Sequence, residues 1–567
     1  MGYGVAMKPF FHRILPLFFA PLISQAEGLP DVSPFGIGSC HTNNRTVKDM
    51  ERWIPQMAEA GITFHRTCQT NWSAVEPAEG KWQWQELDLE MTYLAEHKMR
   101  CGGLLLGSVP WDKRSLGLPV DNIPAWSNYV SQVVKHLQGK VTYWEVWNEP
   151  PNFIGPKQTA EDYATILVSA YDAAKKADPK CQVGLAAKSV NVNFLEKVIQ
   201  AGGKDRFDYI TLHPYEVLGT VADGNGTEAV YMNIVPAVRK MLAAQNPSKV
   251  GVPIIFTELG ADIRKGVDYP AQALVKACSM GIAQGVSCIE WFEGRDGDSG
   301  PMGLLDGQGV PRPAYTAMKQ MIQHFGQHPQ YLGWVLVDDW NYGFIFQGAK
   351  GTVLTTWARG AADHVKFGEH VEIVNPLTGT ASKADNYSLT KSPILILNPS
   401  AALVKQAQAN KSLPLPWGGD FSKSKSVSIN LEGDVVENGL HTLSGDAIGA
   451  AVVAYGGSGR AGNVPGGNAF VVDPQFLCYT STPIEIKAVV RRNPANDNAG
   501  FKLVYESTDG LKGTNWFTIP DNKQWHTVTW KITDAQFVSM WGYNFTLESD
   551  GNQFNKYFIQ SVTVTKQ

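Results

Sequence analysis

Tyr143-Trp144-Glu145-Val146-Trp147-Asn148-Glu149-Pro150-Pro151 is the stretch from which the fold is read. Residues 141–146 are apolar, β-branched or aromatic apart from Glu145, which suits a strand buried on both faces. Pro150-Pro151 ends it, since proline has no N–H to give to a sheet. Strand alternation puts Glu145, Trp147 and Glu149 on one face and Trp144, Val146 and Asn148 on the other until the strand stops. Asn148 and Glu149 then stand at the rim of a sheet.

Comparable runs recur on either side. Candidate strands at 35–39, 62–67, 101–106, 141–146, 182–187, 207–212, 253–257 and 287–292 alternate with helical patterns at 47–60, 87–98, 124–137, 160–177, 193–201, 229–244 and 271–284. Eight strands alternating with helices over about 300 residues are the pattern of an α/β fold of the (β/α)8 TIM-barrel type. A doubly wound open sheet would need a glycine-rich phosphate loop after the first strand. Gly36-Ile37-Gly38-Ser39-Cys40-His41 lacks the third glycine and the helix opening of such a loop. In a barrel, reactive side chains project from the C-terminal strand ends. The seventh strand delivers Thr257-Glu258-Leu259-Gly260 there, a second glutamate closing an apolar run.

The chain has 567 residues, 44% of them hydrophobic, more than one compact domain normally holds. Its 17 Trp and 19 Tyr suit surfaces that stack on the flat C–H faces of sugars. A formal net charge of −4 without a long basic run lacks the electrostatic footprint that nucleic acid requires. Lys8, His12 and Arg13 precede an apolar run over 14–23, and Ser24-Gln25-Ala26 follows. That run is too short to span a bilayer. The pattern predicts a cleaved secretory signal over residues 1–26 and a secreted or periplasmic protein without a membrane span. Seven scattered cysteines resemble neither a disulfide framework nor a zinc site.

The barrel is expected over 27–330. Short alternating strands at 343–346, 352–357, 371–374 and 394–397 indicate an accessory β-domain over 331–398. Residues 399–416, with Pro399, Pro414 and Pro416 among small and polar neighbours, read as a linker. From 417 to 567 the pattern is entirely β, with glycine-rich turns, and predicts a β-sandwich that is a candidate carbohydrate-binding domain. Its Trp516, Trp541 and Tyr543 are either sugar platforms or core rings, and core packing is the commoner role of such residues.

Trp147-Asn148-Glu149-Pro150 at strand four with Thr257-Glu258-Leu259-Gly260 at strand seven resembles the clan A of retaining glycoside hydrolases built on (β/α)8 barrels. Within that clan, the stretch from Trp72 to Asp88 and the Gly303-Leu304-Leu305-Asp306 segment resemble family 39, with family 5 as the second resemblance. The resemblance implies that Glu149 is the acid/base, that Glu258 is the nucleophile and that Asn148 bonds the sugar 2-hydroxyl. It adds Arg66, His213, Tyr215 and Trp291 as site residues, with Trp291 as an apolar floor for the sugar. Trp525-His526-Thr527-Val528-Thr529-Trp530 resembles domains appended to bacterial polysaccharide hydrolases.

Hydrolysis with retention needs one carboxyl group to protonate the leaving oxygen and another, about 5–5.5 Å away, to attack the anomeric carbon. Glu258, beside Arg66 and Tyr215, is expected to stay ionised, and Glu149 to hold a proton until the leaving group needs it. Arg66 pairing a structural acid, or His213 satisfied under a loop, are the plainer alternatives. Glu293 either bonds a sugar hydroxyl or is a solvated loop charge; Glu76 and Glu145 read as structural. No metal or cofactor is implied. The expected partner is a β-linked poly- or oligosaccharide. A transglycosylase with the same covalent intermediate, or a catalytically silent carbohydrate-binding protein, are the alternatives.

Overall fold

The computed structural model describes residues 29, 32–38, 47–151, 159–297, 299–359, 363–443, 452–453, 457–464, 467–492, 499–551 and 556–567. The expected signal segment lies outside them. The eight candidate runs become strands β1 (Phe35–Gly38), β2 (Phe64–Thr67), β3 (Arg100–Leu105), β4 (Val141–Val146), β5 (Gln182–Lys188), β6 (Tyr209–His213), β7 (Ile254–Leu259) and β8 (Cys288–Phe292). They pair in chain order and in parallel, and β8 closes on β1. This is the expected TIM barrel.

Helices cover its outside. In Ala160–Ala177 the buried positions 160, 163, 164, 166, 167, 170 and 174 recur at spacings of three and four, and a Thr159–Asp162 capping box fixes the start. That stripe meets the outward faces of the strands, where Trp144, Val146 and Leu185 are fully buried. Inside the barrel, Phe64, Tyr143, Tyr209, Ile255 and Cys288 form an apolar cluster near the N-terminal strand ends. Polar inward side chains therefore concentrate toward the C-terminal ends.

Strands β9 (Gln330–Leu336), β10 (Tyr342–Gly348), β11 (Gly351–Thr356), β12 (Asp363–Val374), β13 (Ala381–Leu389) and β14 (Ile394–Leu397) form one antiparallel sheet. It is fastened to the barrel by a buried cluster in which Arg359 Nε donates to Glu228 Oε2 (3.2 Å) and Trp357 Nε1 to Glu228 Oε1 (2.8 Å). Residues 399–416 are not a free linker, a correction to the sequence reading. They contain the helix Ala401–Asn410, capped by Ser400. The helix lies so close to β9 that a Cβ at Gly333 would sit 1.8 Å from the Ala407 carbonyl oxygen, so this position requires glycine. Trp334 Nε1 donates to Leu413 O (3.0 Å) and Asn410 Nδ2 to Trp334 O (3.1 Å), binding the C-terminal half of the segment.

From 417 onward two antiparallel sheets enclose a core that includes Phe470, Phe501, Phe545, Tyr557 and Ile486, the expected sandwich. It packs on the flank of the barrel. Gln536 Nε2 donates to Glu196 Oε2 (3.0 Å), and Lys197 pairs with Asp509 (3.1 Å).

Candidate active site

Strand β4 ends at Val146, and Trp147 and Glu149 take left-handed backbone angles, φ 68° and 49°. Such angles cost L-residues of order 1–3 kcal/mol and persist where the surroundings over-determine them. Here they break the strand alternation. Trp147 joins the buried apolar cluster, 6.1 Å from the Trp126 ring, and does not share the inward face of Glu145 as simple alternation predicts. Asn148 turns toward the barrel axis, where its Oδ1 accepts from Arg66 Nη2 (2.8 Å).

Arg66 organises the site from the end of β2. Its three nitrogens reach three acceptors: Nε donates to Glu145 Oε2 (2.7 Å), Nη1 to Glu258 Oε2 (3.2 Å) and Nη2 to Asn148. A guanidinium fork fixes such partners in direction as well as distance. Glu145, buried inside the barrel, also accepts from Thr211 Oγ1 (2.6 Å) and Thr257 Oγ1 (2.9 Å). His213, at the end of β6, bonds Glu149 Oε1 through Nδ1 and Thr257 Oγ1 through Nε2, both at 3.1 Å. Tyr215 donates its hydroxyl to Glu258 Oε1 (3.0 Å). Arg66, Asn148, Glu149, His213, Tyr215 and Glu258 are thus brought together from four strand ends.

Exposure separates the parts. The side chains of Arg66 and His213 are 3% and 1% exposed, while Glu149 and Glu258 are 19% and 14% exposed. The two glutamates are therefore the reachable groups above a buried polar floor. One oxygen of each, with a ring nitrogen of His213, lie within 4.8 Å of one another. Three such donors match a small divalent cation in number. Yet the Arg66 guanidinium already stands 3.2 Å from Glu258 Oε2, and its positive charge disfavours a second cation there.

The family model of glycosyl hydrolase family 10 matches residues 35–320, half of the chain and the whole of the barrel. The chain belongs to glycosyl hydrolase family 10. It is a glycosidase, and it stands in the clan that the Glu149 and Glu258 motifs indicated. The sequence pointed within that clan toward family 39, and a family 39 structure is indeed among those sharing the fold. That glycoside hydrolase, from the gut symbiont Bacteroides cellulosilyticus WH2, is 19% identical, with a TM-score of 0.52 over 65% of this chain and 81% of its own. A β-xylosidase of Caldicellulosiruptor saccharolyticus is 26% identical over 232 residues, 35% of this chain and 46% of the relative. An endo-1,4-β-xylanase of Agaricus bisporus is 24% identical over 326 residues, 51% of this chain and 87% of the relative. The match thus spans less than half of the first relative and most of the second.

Two expected residues do not join the site of this family 10 barrel. Trp291 is fully buried in the apolar cluster outside the strands. In β8 the inward positions are those of Glu290, which lines the barrel interior, and by alternation Phe292. Trp291 between them faces the helices and cannot be the floor of a sugar site; Phe292 is the ring that alternation turns inward. Glu293 is 2% exposed, and its carboxylate accepts from Gly297 N–H (2.5 Å), which holds the loop after β8 and leaves no surface for a sugar hydroxyl.

Sequence reasoning gave no role to Glu290. With Arg66, Glu145 and Thr257 it lines a void of about 10 Å³ in the barrel interior, and its Oε2 has no hydrogen-bond partner among the described residues. The void has about the size of one water. Burial pushes the Glu290 carboxyl well above the usual range; Arg66 opposes the shift, and Glu145 and Glu258 add to it. A raised value in the folded state means that the folded chain keeps a proton that the unfolded chain gives up above its ordinary value of 4.5. Stability from this group therefore falls as pH rises past that value. Glu290→Gln, neutral and of the same shape, is expected to fold and to flatten the decline in melting temperature between about pH 5 and 8. An unchanged slope would show that the Glu290 proton plays no part.

Proposed function

We propose that this chain is a secreted, retaining β-glycosidase that cleaves xylan or its oligosaccharides by double displacement. The observation that carries the reading is the pair Glu149 and Glu258, with oxygens within 4.8 Å, on a floor that holds them in different ways. Inverting enzymes place their carboxyl groups about 6.5–9.5 Å apart to admit a water, and retaining ones about 5–5.5 Å. The short separation here favours direct attack by one carboxylate. Glu258, fixed through both oxygens by Arg66 and Tyr215, is positioned as the nucleophile. Glu149, held by His213, delivers the proton to the leaving oxygen and afterwards takes one from water. Asn148, locked by Arg66, turns its amide N–H group to the sugar 2-hydroxyl. The polysaccharide follows from the xylosidase and xylanase among the relatives, and secretion from the leader-like N-terminus.

The reading is tested by incubating the purified chain with soluble xylan, xylo-oligosaccharides and aryl β-xylosides, beside Glu149→Gln. Wild type should release xylose or short xylo-oligosaccharides. Loss of a general acid costs typically 10²–10⁴-fold. Glu149→Gln should show that loss on xylo-oligosaccharides and a much smaller one in the glycosylation of an aryl glycoside whose leaving group needs no proton. Equal losses on both substrates would remove Glu149 from the acid role. Hydrolysis of another β-glycan with xylan untouched would overturn the substrate and keep the mechanism.

A further inference from the structure

The sandwich reaches the rim on which the two carboxylates stand. Ser189, the residue after β5, donates its hydroxyl to Met540 O (2.7 Å). Ser189 also bridges to His213, and the neighbouring Lys188 N–H donates to Pro150 O (2.8 Å), directly after Glu149. On the other side, Gly542 lies against Thr220 and the Glu216 carbonyl; a Cβ there would stand 2.6 Å from Thr220 Cγ2. Glu216 follows Tyr215, the partner of Glu258. Residues 540–542 are therefore bracketed by the surroundings of both glutamates.

The segment is built to hold one shape. The buried carboxylate of Glu506 accepts from the N–H groups of Val538 (2.9 Å), Ser539 (3.0 Å) and Met540 (2.6 Å) and from Asn544 Nδ2 (2.9 Å). Gly542 N–H closes the turn on Ser539 O (2.9 Å). Between these anchors stands Trp541, a partly exposed ring that is outside the sandwich core. Its indole N–H has no acceptor among the described residues, and Oε2 of Glu216 across Gly542 has no donor. Both atoms are buried from solvent, so what Trp541 offers at the rim is the exposed part of its ring. The C–H face of a sugar ring stacks on such an aromatic surface.

We propose that the C-terminal sandwich completes the substrate cleft, with the Trp541 ring forming a stacking platform for a pyranose ring of the β-linked chain beside the two carboxylates. The inference rests on the function proposed above, in which the bound chain crosses both carboxylates. The sandwich is then a wall of the active site.

The test is affinity electrophoresis of the full chain in gels containing soluble xylan, mixed-linkage β-glucan or glucomannan, in a Glu258→Gln background that binds without turnover. Trp541→Ala should weaken retardation by about five- to tenfold, the order expected from one aromatic contact, and Trp541→Phe, which keeps a ring face, by less. Asn193→Ala, which removes a barrel–sandwich hydrogen bond to Thr508, outside the 538–544 segment, should leave retardation unchanged. Retardation untouched by Trp541→Ala overturns the subsite while the proposed function stands. Equal weakening by Asn193→Ala also overturns it, because domain docking would then be the cause. Retardation by none of the glycans overturns the function and the subsite together.

Discussion

Glu258→Ala is expected to lower kcat/KM by roughly ten-thousand-fold or more, and azide is expected to restore turnover with formation of the α-glycosyl azide. The size follows from the role, since a nucleophile that forms the covalent intermediate has no substitute in the site. The direction of rescue follows from the geometry. The methyl group leaves a space on one face of the sugar, lined by Arg66 and Tyr215, which both contacted the lost carboxylate. A small anion there is held by the same cation and hydroxyl and attacks once, so the anomeric centre inverts. Reaction kinetics with an aryl β-xyloside, with the product's anomeric coupling read by NMR, measure both parts. Activity within tenfold of wild type would remove Glu258 from the nucleophile role.

Arg66→Ala is expected to destabilise the barrel by about 3–5 kcal/mol, because it leaves the buried Glu145 carboxylate without its cation. Arg66→Lys recovers part of that stability and little of the activity. An ammonium is a single point charge on a flexible stem and cannot reach Glu145, Asn148 and Glu258 in three fixed directions. Its kcat should remain roughly 10²–10³-fold below wild type, the usual size of losing one pre-organised charged donor. Denaturant unfolding and steady-state kinetics on the two variants separate these effects. If Arg66→Lys were fully active, the three-way fork would have no part in positioning Asn148 and Glu258.

The strands were legible because each is a short apolar run ended by a polar or turn residue, and a parallel strand buried on both faces leaves little else for such a run to be. Glu149 and Glu258 were legible for the same reason, as charges where apolar runs stop. Legibility ended where the backbone leaves its period. Trp147 and Glu149 adopt left-handed angles, so the face of Trp147 could not be counted off from Glu145. In β8 the difference between Trp291 and Phe292 is one residue of register, which reverses the face. Glu290 is an acid inside a barrel, where composition foresees no charge and only the three-dimensional surroundings show how it is tolerated. The helix Ala401–Asn410 did carry a signal, an alanine-rich run behind Ser400, but the prolines on both sides suggested a linker. Trp541 could not be sorted from core aromatics, because its setting is made by Ser189 and Gly542, which lie far apart in the chain.

The most direct test of the account is the anomer that wild type releases first. Proton NMR during early turnover of xylohexaose follows the signals of the new reducing end before mutarotation mixes them. Attack by Glu258 followed by water activated by Glu149 inverts the centre twice, so the β-anomer should accumulate first and the α-anomer only at the rate of mutarotation. Initial release of the α-anomer would mean a single displacement by water and would contradict the covalent role of Glu258.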